Sequence, residues 1–210
     1  MGDASNRSQE RPLAFDPDAA PEDLERIREL LPELELIEDL EARDMVARLW
    51  AHSWRVSEWA DPSDAFMTIG RLPAGHDPYL ERWNQIEHTR AVVVMAGDML
   101  PTIEGHVGCP VDRQVAFIAA LLHDVAKLPE YSPGGDDGPV KTAIGAVLHH
   151  AAIGAQWALE AGFGPDVAHA IVAHSPSVSS EPSTPEALLV KAADQVVTDF
   201  NRLRTGLEAS

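Results

Sequence analysis

Histidine and aspartate recur in this chain on stretches that otherwise carry apolar side chains. His88 is followed at helical spacing by Ala91, Val92 and Met95. His174 shares a helical face with Val167, Ala170 and Ile171, and Asp194 shares one with Val190 and Val197. His123-Asp124 follows the apolar run AFIAALL. Burying such groups is costly unless each finds a partner inside. One histidine on an apolar face is ordinarily a hydrogen-bonded core residue. Several such groups on separate inward faces need shared partners, and metal ions supply them with ligand types suited to iron, manganese or zinc. The doublet His149-His150 divides by face: from His149 the face carries Gln156 and Glu160, from His150 it carries Ile153 and Trp157. His150 is therefore read as the inward group and His149 as rim or surface. His52 has no polar companions on its helix, His76 and His106 fall in loops, and His169 lies off the face of His174, so none of these is read as a ligand. The one cysteine, Cys109, can form neither an intrachain disulfide nor a cysteine-based zinc site, which leaves nitrogen and oxygen ligands.

Helices must position these residues. Strict two-residue alternation is scarce, and the periodicity predicts an all-α fold. A first helix begins at Pro21 and stops before Pro32, and a longer pattern runs from Pro32 to Trp59, with Trp50 and Trp54 packed on one face. Residues 60–80 read as a loop. Further helices are predicted over Gln85–Leu100, over 111–128, over 141–162 ending at Gly162, over 165–174, and from Thr184 to Leu203. Residues 129–140 contain two prolines after their start, three glycines and two aspartates, and read as a mobile loop that gates the mouth of the site. The division expected is a mobile tail at 1–20, N-terminal helices and a loop at 21–80 packing on the core, and a metal-binding core at 81–210.

The ordered set of His88, His123-Asp124 and Asp194 on separate helices resembles the motif that names the HD-domain superfamily. HDVAK resembles its His-Asp-x-x-Lys variant. HAAIGA from His150 resembles the His-x-x-x-Gly-Ala stretch of the two-metal branch, AIVAHS resembles that branch's next histidine, and LLVKAADQV supplies the closing aspartate. The resemblance covers residues 85–200 and implies an HD-type helical bundle with two metal ions, iron or manganese, with zinc as a further option. One ion would take His88, His123, Asp124 and Asp194, and the other His150 and His174, with Asp124 bridging. Two ions about 3.5–4 Å apart clamp a phosphoryl group and lower the pKa of a bridging water. Asp124 and Lys127 are the expected catalytic residues, Lys127 as a point charge for a substrate phosphate.

Two reaction classes share that ligand set. Most enzymes with the motif hydrolyse phosphate esters or anhydrides, and the stretch from His150 to Asp194 looks most like a bacterial group that splits dinucleoside polyphosphates. SPSVSSEPSTPEA lacks the glycine-containing segment expected of that group. The alternative is a diiron oxygenase acting on a small alcohol, polyol or phosphonate. A non-catalytic sensor would be expected to have lost ligands.

The formal net charge of -18 over 210 residues disfavours nucleic acid and anionic membrane surfaces as partners. An anionic small-molecule substrate then needs cations at the site. No apolar run reaches the ~18 residues of a membrane span. The polar opening MGDASNRSQERP has no apolar segment behind it, so the cytoplasm is the expected location.

Overall fold

A computed structural model of the chain describes residues 14–65, 84–135 and 138–205. The predicted loop at 60–80 therefore falls outside the described residues from position 66 onward, as do His76 and residues 1–13 of the expected tail. Residues 14–20 lie on the protein: the Phe15 amide donates to Glu160 Oε2 at 2.7 Å, and Arg48 donates to the Pro17 carbonyl at 2.9 Å.

Two helices form an N-terminal layer. Helix α1 spans Pro21–Leu30, opened by its first-turn proline with Glu22 and Asp23 at its positive end. Helix α2 spans Leu40–Arg55. The predicted continuous helix from Pro32 is broken. A 3-10 turn, Pro32–Leu36, comes first, and Asp39 then caps α2 by accepting from the amides of Glu41 and Ala42. A capping aspartate needs extended backbone, so the helix cannot run through it.

The remaining helices make the core. Helix α3 spans Gln85–Thr102, capped by Asn84, and continues as a wider turn at Ile103–Val107. Helix α4 spans Arg113–Leu122, capped by Asp112. It ends earlier than predicted: residues 123–126 form turns, and a single-turn helix α5, Lys127–Glu130, follows. The predicted loop at 129–140 contains an antiparallel hairpin, strand β1 at Tyr131–Gly135 and strand β2 at Gly138–Lys141. The predicted helix over 141–162 is confined to α6, His150–Glu160, because His149 adopts extended backbone and caps it through Nδ1. Gly162, at φ 91°, closes that helix in a conformation other residues rarely adopt. Helices α7, Pro165–His174, and α8, Pro185–Thr205, complete the bundle. Helix α7 packs on α4, α6 and α8, and α3 packs on α4 and α8, around Leu121, Leu122, Ile171 and Trp157. Outside the one hairpin the described fold is helical.

Side chains of the N-terminal layer hold the segment that follows α4. A helix end leaves carbonyls without partners. Trp50 Nε1 donates to the Leu121 carbonyl at 2.9 Å, Ser53 Oγ donates to that of Val125, and Trp59 Nε1 donates to those of Leu128 and Tyr131 at 3.1 and 2.9 Å. Trp54 sits at the edge and donates to the Trp59 carbonyl at 3.1 Å.

Candidate metal centre

Five elements converge on Asp124. Helix α3 brings His88, the end of α4 brings His123 and Asp124, the start of α6 brings His150, the end of α7 brings His174, and α8 brings Asp194. His88, His123 and Asp124 are completely or almost completely buried, and His150 and His174 nearly so. The two oxygens of Asp124 face different histidines. Oδ2 lies 3.4 Å from His88 Nε2 and 3.4 Å from His123 Nε2. Oδ1 lies 3.0 Å from His150 Nε2 and 3.4 Å from His174 Nε2. Asp194 Oδ1 stands 3.1 Å from His88 Nε2. Ligand atoms of His88, His123 and Asp194 fall within 4.8 Å of one another, and so do those of Asp124, His150 and His174.

The donor set fits metal ions. Asp124 Oδ1 and His150 Nε2 are buried and neither makes a hydrogen bond, although they face each other. Inward lone pairs on imidazole and carboxylate suit first-row transition metals. The second ring nitrogens fix the orientation of three of the rings. His123 Nδ1 meets the Ala120 carbonyl at 2.7 Å, His174 Nδ1 meets that of Ile171 at 2.6 Å, and His150 Nδ1 meets Glu130 Oε2 at 2.5 Å. An acceptor at Nδ1 keeps the proton there and leaves Nε2 free to ligate.

Burial alone would raise the Asp124 carboxyl, but Lys127, His123 and His150 outweigh it and hold it well below the usual carboxylate range. Asp194 is likewise held low against burial, chiefly by His88. Burial would lower His88, yet hydrogen bonds to Asp124 and Asp194 pull it upward. Lys127 Nζ lies 2.7 Å from Asp124 Oδ2, and the ammonium occupies the cationic place beside that carboxylate.

Other sequence expectations resolve as follows. His149 is half-buried at the rim, its Nε2 3.4 Å from Ser175 Oγ, and burial beside His150 lowers its pKa to about 4. His52 belongs to neither set: it is buried in the N-terminal layer and accepts from the Asp16 amide at 3.3 Å. His106 is exposed, and His169 accepts from the Ser183 amide at 3.0 Å. Sequence reasoning missed two buried groups. Gln85, three residues before His88 on the same face, donates to Asp124 Oδ2 at 3.0 Å. Its spacing was a usable signal. Glu130 carried none, because it lay in a segment read as loop.

The site opens to a cleft of about 340 Å³, lined by Lys127, Tyr131, Lys141, His149, Ser175 and Arg202 among others. The hairpin supplies Tyr131 and Lys141 to its wall, in place of the loop expected there.

Residues 86–199 match the HD domain. The chain belongs to the HD-domain family. Its relatives include Ribonuclease Y of Desulforudis audaxviator (strain MP104C), 34% identical over 113 residues, which are 54% of this chain and 18% of the relative. Ribonuclease Y of Acidothermus cellulolyticus (strain ATCC 43068 / DSM 8971 / 11B) is also 34% identical over 113 residues, 54% of this chain and 19% of the relative. That of Roseiflexus sp. (strain RS-1) is 39% identical over 82 residues, 39% of this chain and 12% of the relative. The matched region thus spans less than a fifth of the length of these relatives. No solved structure matches the chain. Among the described residues, no helix is long and apolar enough to cross a membrane.

Proposed function

We propose that this HD-domain chain is a metal-dependent phosphohydrolase acting on a nucleotide or another small phosphate ester or anhydride. The observation that carries the reading is the Asp124 carboxylate, with one oxygen turned to His88 and His123 and the other to His150 and His174. His88, His123, Asp124 and Asp194 would hold one ion. His150, His174 and the shared Asp124 would hold the second, with iron or manganese proposed and zinc also suited to these ligands. When bound, such a pair supplies a water-derived hydroxide near neutral pH and neutralises phosphoryl oxygens.

The chain's own residues do the rest. Lys127 binds a phosphate oxygen as a point charge from the wall of the cleft. Lys141 and Arg202 line the same cleft, so two of the three lysines in a chain of net charge -18 stand at this opening. Those cations, paired at Lys127 with Asp124 and at Lys141 with Glu130, support an anionic substrate, whereas the acidic balance of the whole favours a small molecule over a nucleic acid or an anionic membrane.

A second reading, cleavage of RNA phosphodiesters, is favoured by the similarity to proteins named Ribonuclease Y over the HD region. One experiment separates the readings. Protein loaded with manganese or ferrous iron is incubated without oxygen with a nucleotide panel and, separately, with labelled single-stranded RNA. Phosphate or nucleotide release from the panel, absent in Asp124→Ala, supports the proposal. Cleavage of RNA alone moves the assignment to the second reading. No release from either, with oxygen uptake on adding an alcohol, polyol or phosphonate, overturns hydrolysis in favour of oxygenase chemistry.

A further inference from the structure

Three of the four histidines around Asp124 have their outward nitrogen held, but by different means. His123 and His174 stand at C-terminal helix ends, where Nδ1 reaches back to the carbonyl three residues earlier, at 2.7 and 2.6 Å. His150 is the first residue of α6, and its N-cap is the extended His149. No preceding turn of helix offers it a carbonyl. Its Nδ1 meets a carboxylate from another element instead, Glu130 Oε2 at 2.5 Å.

Glu130 is placed for this contact. It is 1% exposed and ends the single-turn helix α5, six residues after Asp124. Its backbone is fixed from both sides: Trp59 Nε1 donates to the carbonyls of Leu128 and Tyr131, and the Thr142 amide donates to the Glu130 carbonyl at 3.0 Å. Gly145 closes over it. A Cβ there would stand 2.1 Å from the Glu130 carbonyl oxygen, so only glycine permits the approach. The second carboxylate oxygen, Oε1, lies 3.2 Å from Lys141 Nζ. A buried carboxylate is costly to keep unless it is paired, and Glu130 is paired with His150 and Lys141.

We infer that Glu130 is a positioning residue that holds His150 with Nδ1 outward and Nε2 toward Asp124, and so sets the ion affinity of the Asp124–His150–His174 pocket. The inference rests on the two-ion reading proposed above. With a carboxylate oxygen 2.5 Å away as acceptor, Nδ1 donates and Nε2 presents its lone pair to the pocket. The anionic partner also strengthens imidazole donation to a cation, which a backbone carbonyl does less well. Glu130 is not among the ligands of the His88–His123–Asp194 pocket, whose affinity is expected to change little.

The test uses the full chain, stripped of metal and titrated with manganese by calorimetry, with bound ions counted by native mass spectrometry. The unmodified protein is expected to take two ions. Glu130→Gln keeps the size and removes the charge; it is expected to retain one ion unchanged and to weaken the other about 10–100-fold. Two ions bound as in the unmodified protein, or both weakened alike in a folded variant, would overturn the role of Glu130 while leaving the two-ion site standing. Fewer than two ions on the unmodified protein would sink both. Should the variant not fold, nitrogen-15 spectra of the histidines in the unmodified, metal-free protein decide the matter. A proton on Nδ1 of His150, identified by its absence in His150→Ala, supports the inference, and the Nε2–H tautomer overturns it.

Discussion

The N-terminal layer and the HD core both bury polar side chains, and they satisfy them differently. In the layer, Trp50 and Ser53 donate to main-chain carbonyls, and His52 accepts from a main-chain amide. In the core, His88, His123, His150 and His174 each turn Nε2 toward the one carboxylate of Asp124. Main-chain partners satisfy these donors and His52 Nδ1, while His52 Nε2 makes no hydrogen bond and its ring packs edge-on against Trp157. Sharing one anion leaves Asp124 Oδ1 and His150 Nε2 without a hydrogen bond, the pair the proposed second ion would occupy. The layer is thus a buttress for the turn that carries His123-Asp124, and the core carries the candidate site.

Removing the shared carboxylate should break the comparison most sharply. Asp124→Ala is expected to lower activity on the order of a thousandfold, by analogy with loss of a key electrostatic group, and to lower bound metal by both ions. Metal analysis of the folded variant checks it, and full occupancy would show that the two histidine sets do not depend on Asp124.

In the layer the corresponding change acts on stability. Trp50 is fully buried, and Trp50→Ala is expected to destabilise by about 3–5 kcal/mol. Its folded fraction should still bind the native number of ions. Denaturant melts together with ion counts test both halves of the claim, and a loss of ions at intact fold would give the layer a direct part in the site.

The histidine doublet sharpens the boundary within the core. His150→Ala should cost one ion and on the order of a hundredfold in activity, whereas His149→Ala, at the rim, should cost only a few-fold. Equal losses would mean that His149 also ligates.

The smallest effect belongs to His52. Burial, then Arg55, lower its pKa below the ordinary value, against weaker upward pulls from Asp16 and Glu160. A depressed base binds its proton more weakly when folded, so its contribution is present above the unfolded value of about 6.5 and is lost as pH falls below it. His52→Gln keeps an acceptor for the Asp16 amide, and its Tm should fall less on acidification than that of the unmodified chain. Parallel Tm–pH curves for the two would remove His52 from the acid response.

Helical periodicity and inward-facing polar residues made the all-α class, the HD resemblance and the convergence of His88, His123, Asp124, His150, His174 and Asp194 legible in the sequence. The fold class and the inward faces depend on repeat spacing along one helix, and the resemblance on the order of motifs along the chain, and both are carried by the sequence itself. The boundaries were less legible where a cap competes with propensity. Asp39 and His149 each stop a helix that apolar spacing alone would have extended, and α4 ends before His123-Asp124. His150 was selected by the face it shares with Ile153 and Trp157, and it stands at the first position of that helix, where Glu130 meets its Nδ1. Glu130, Lys141 and the tryptophan donors of the layer were invisible for the same reason. The contacts of Glu130, Lys141, Trp50 and Trp59 run across 11 to 72 residues of chain, which no local pattern encodes. Only the packing of the hairpin and of α2 against the turn after α4 decided them.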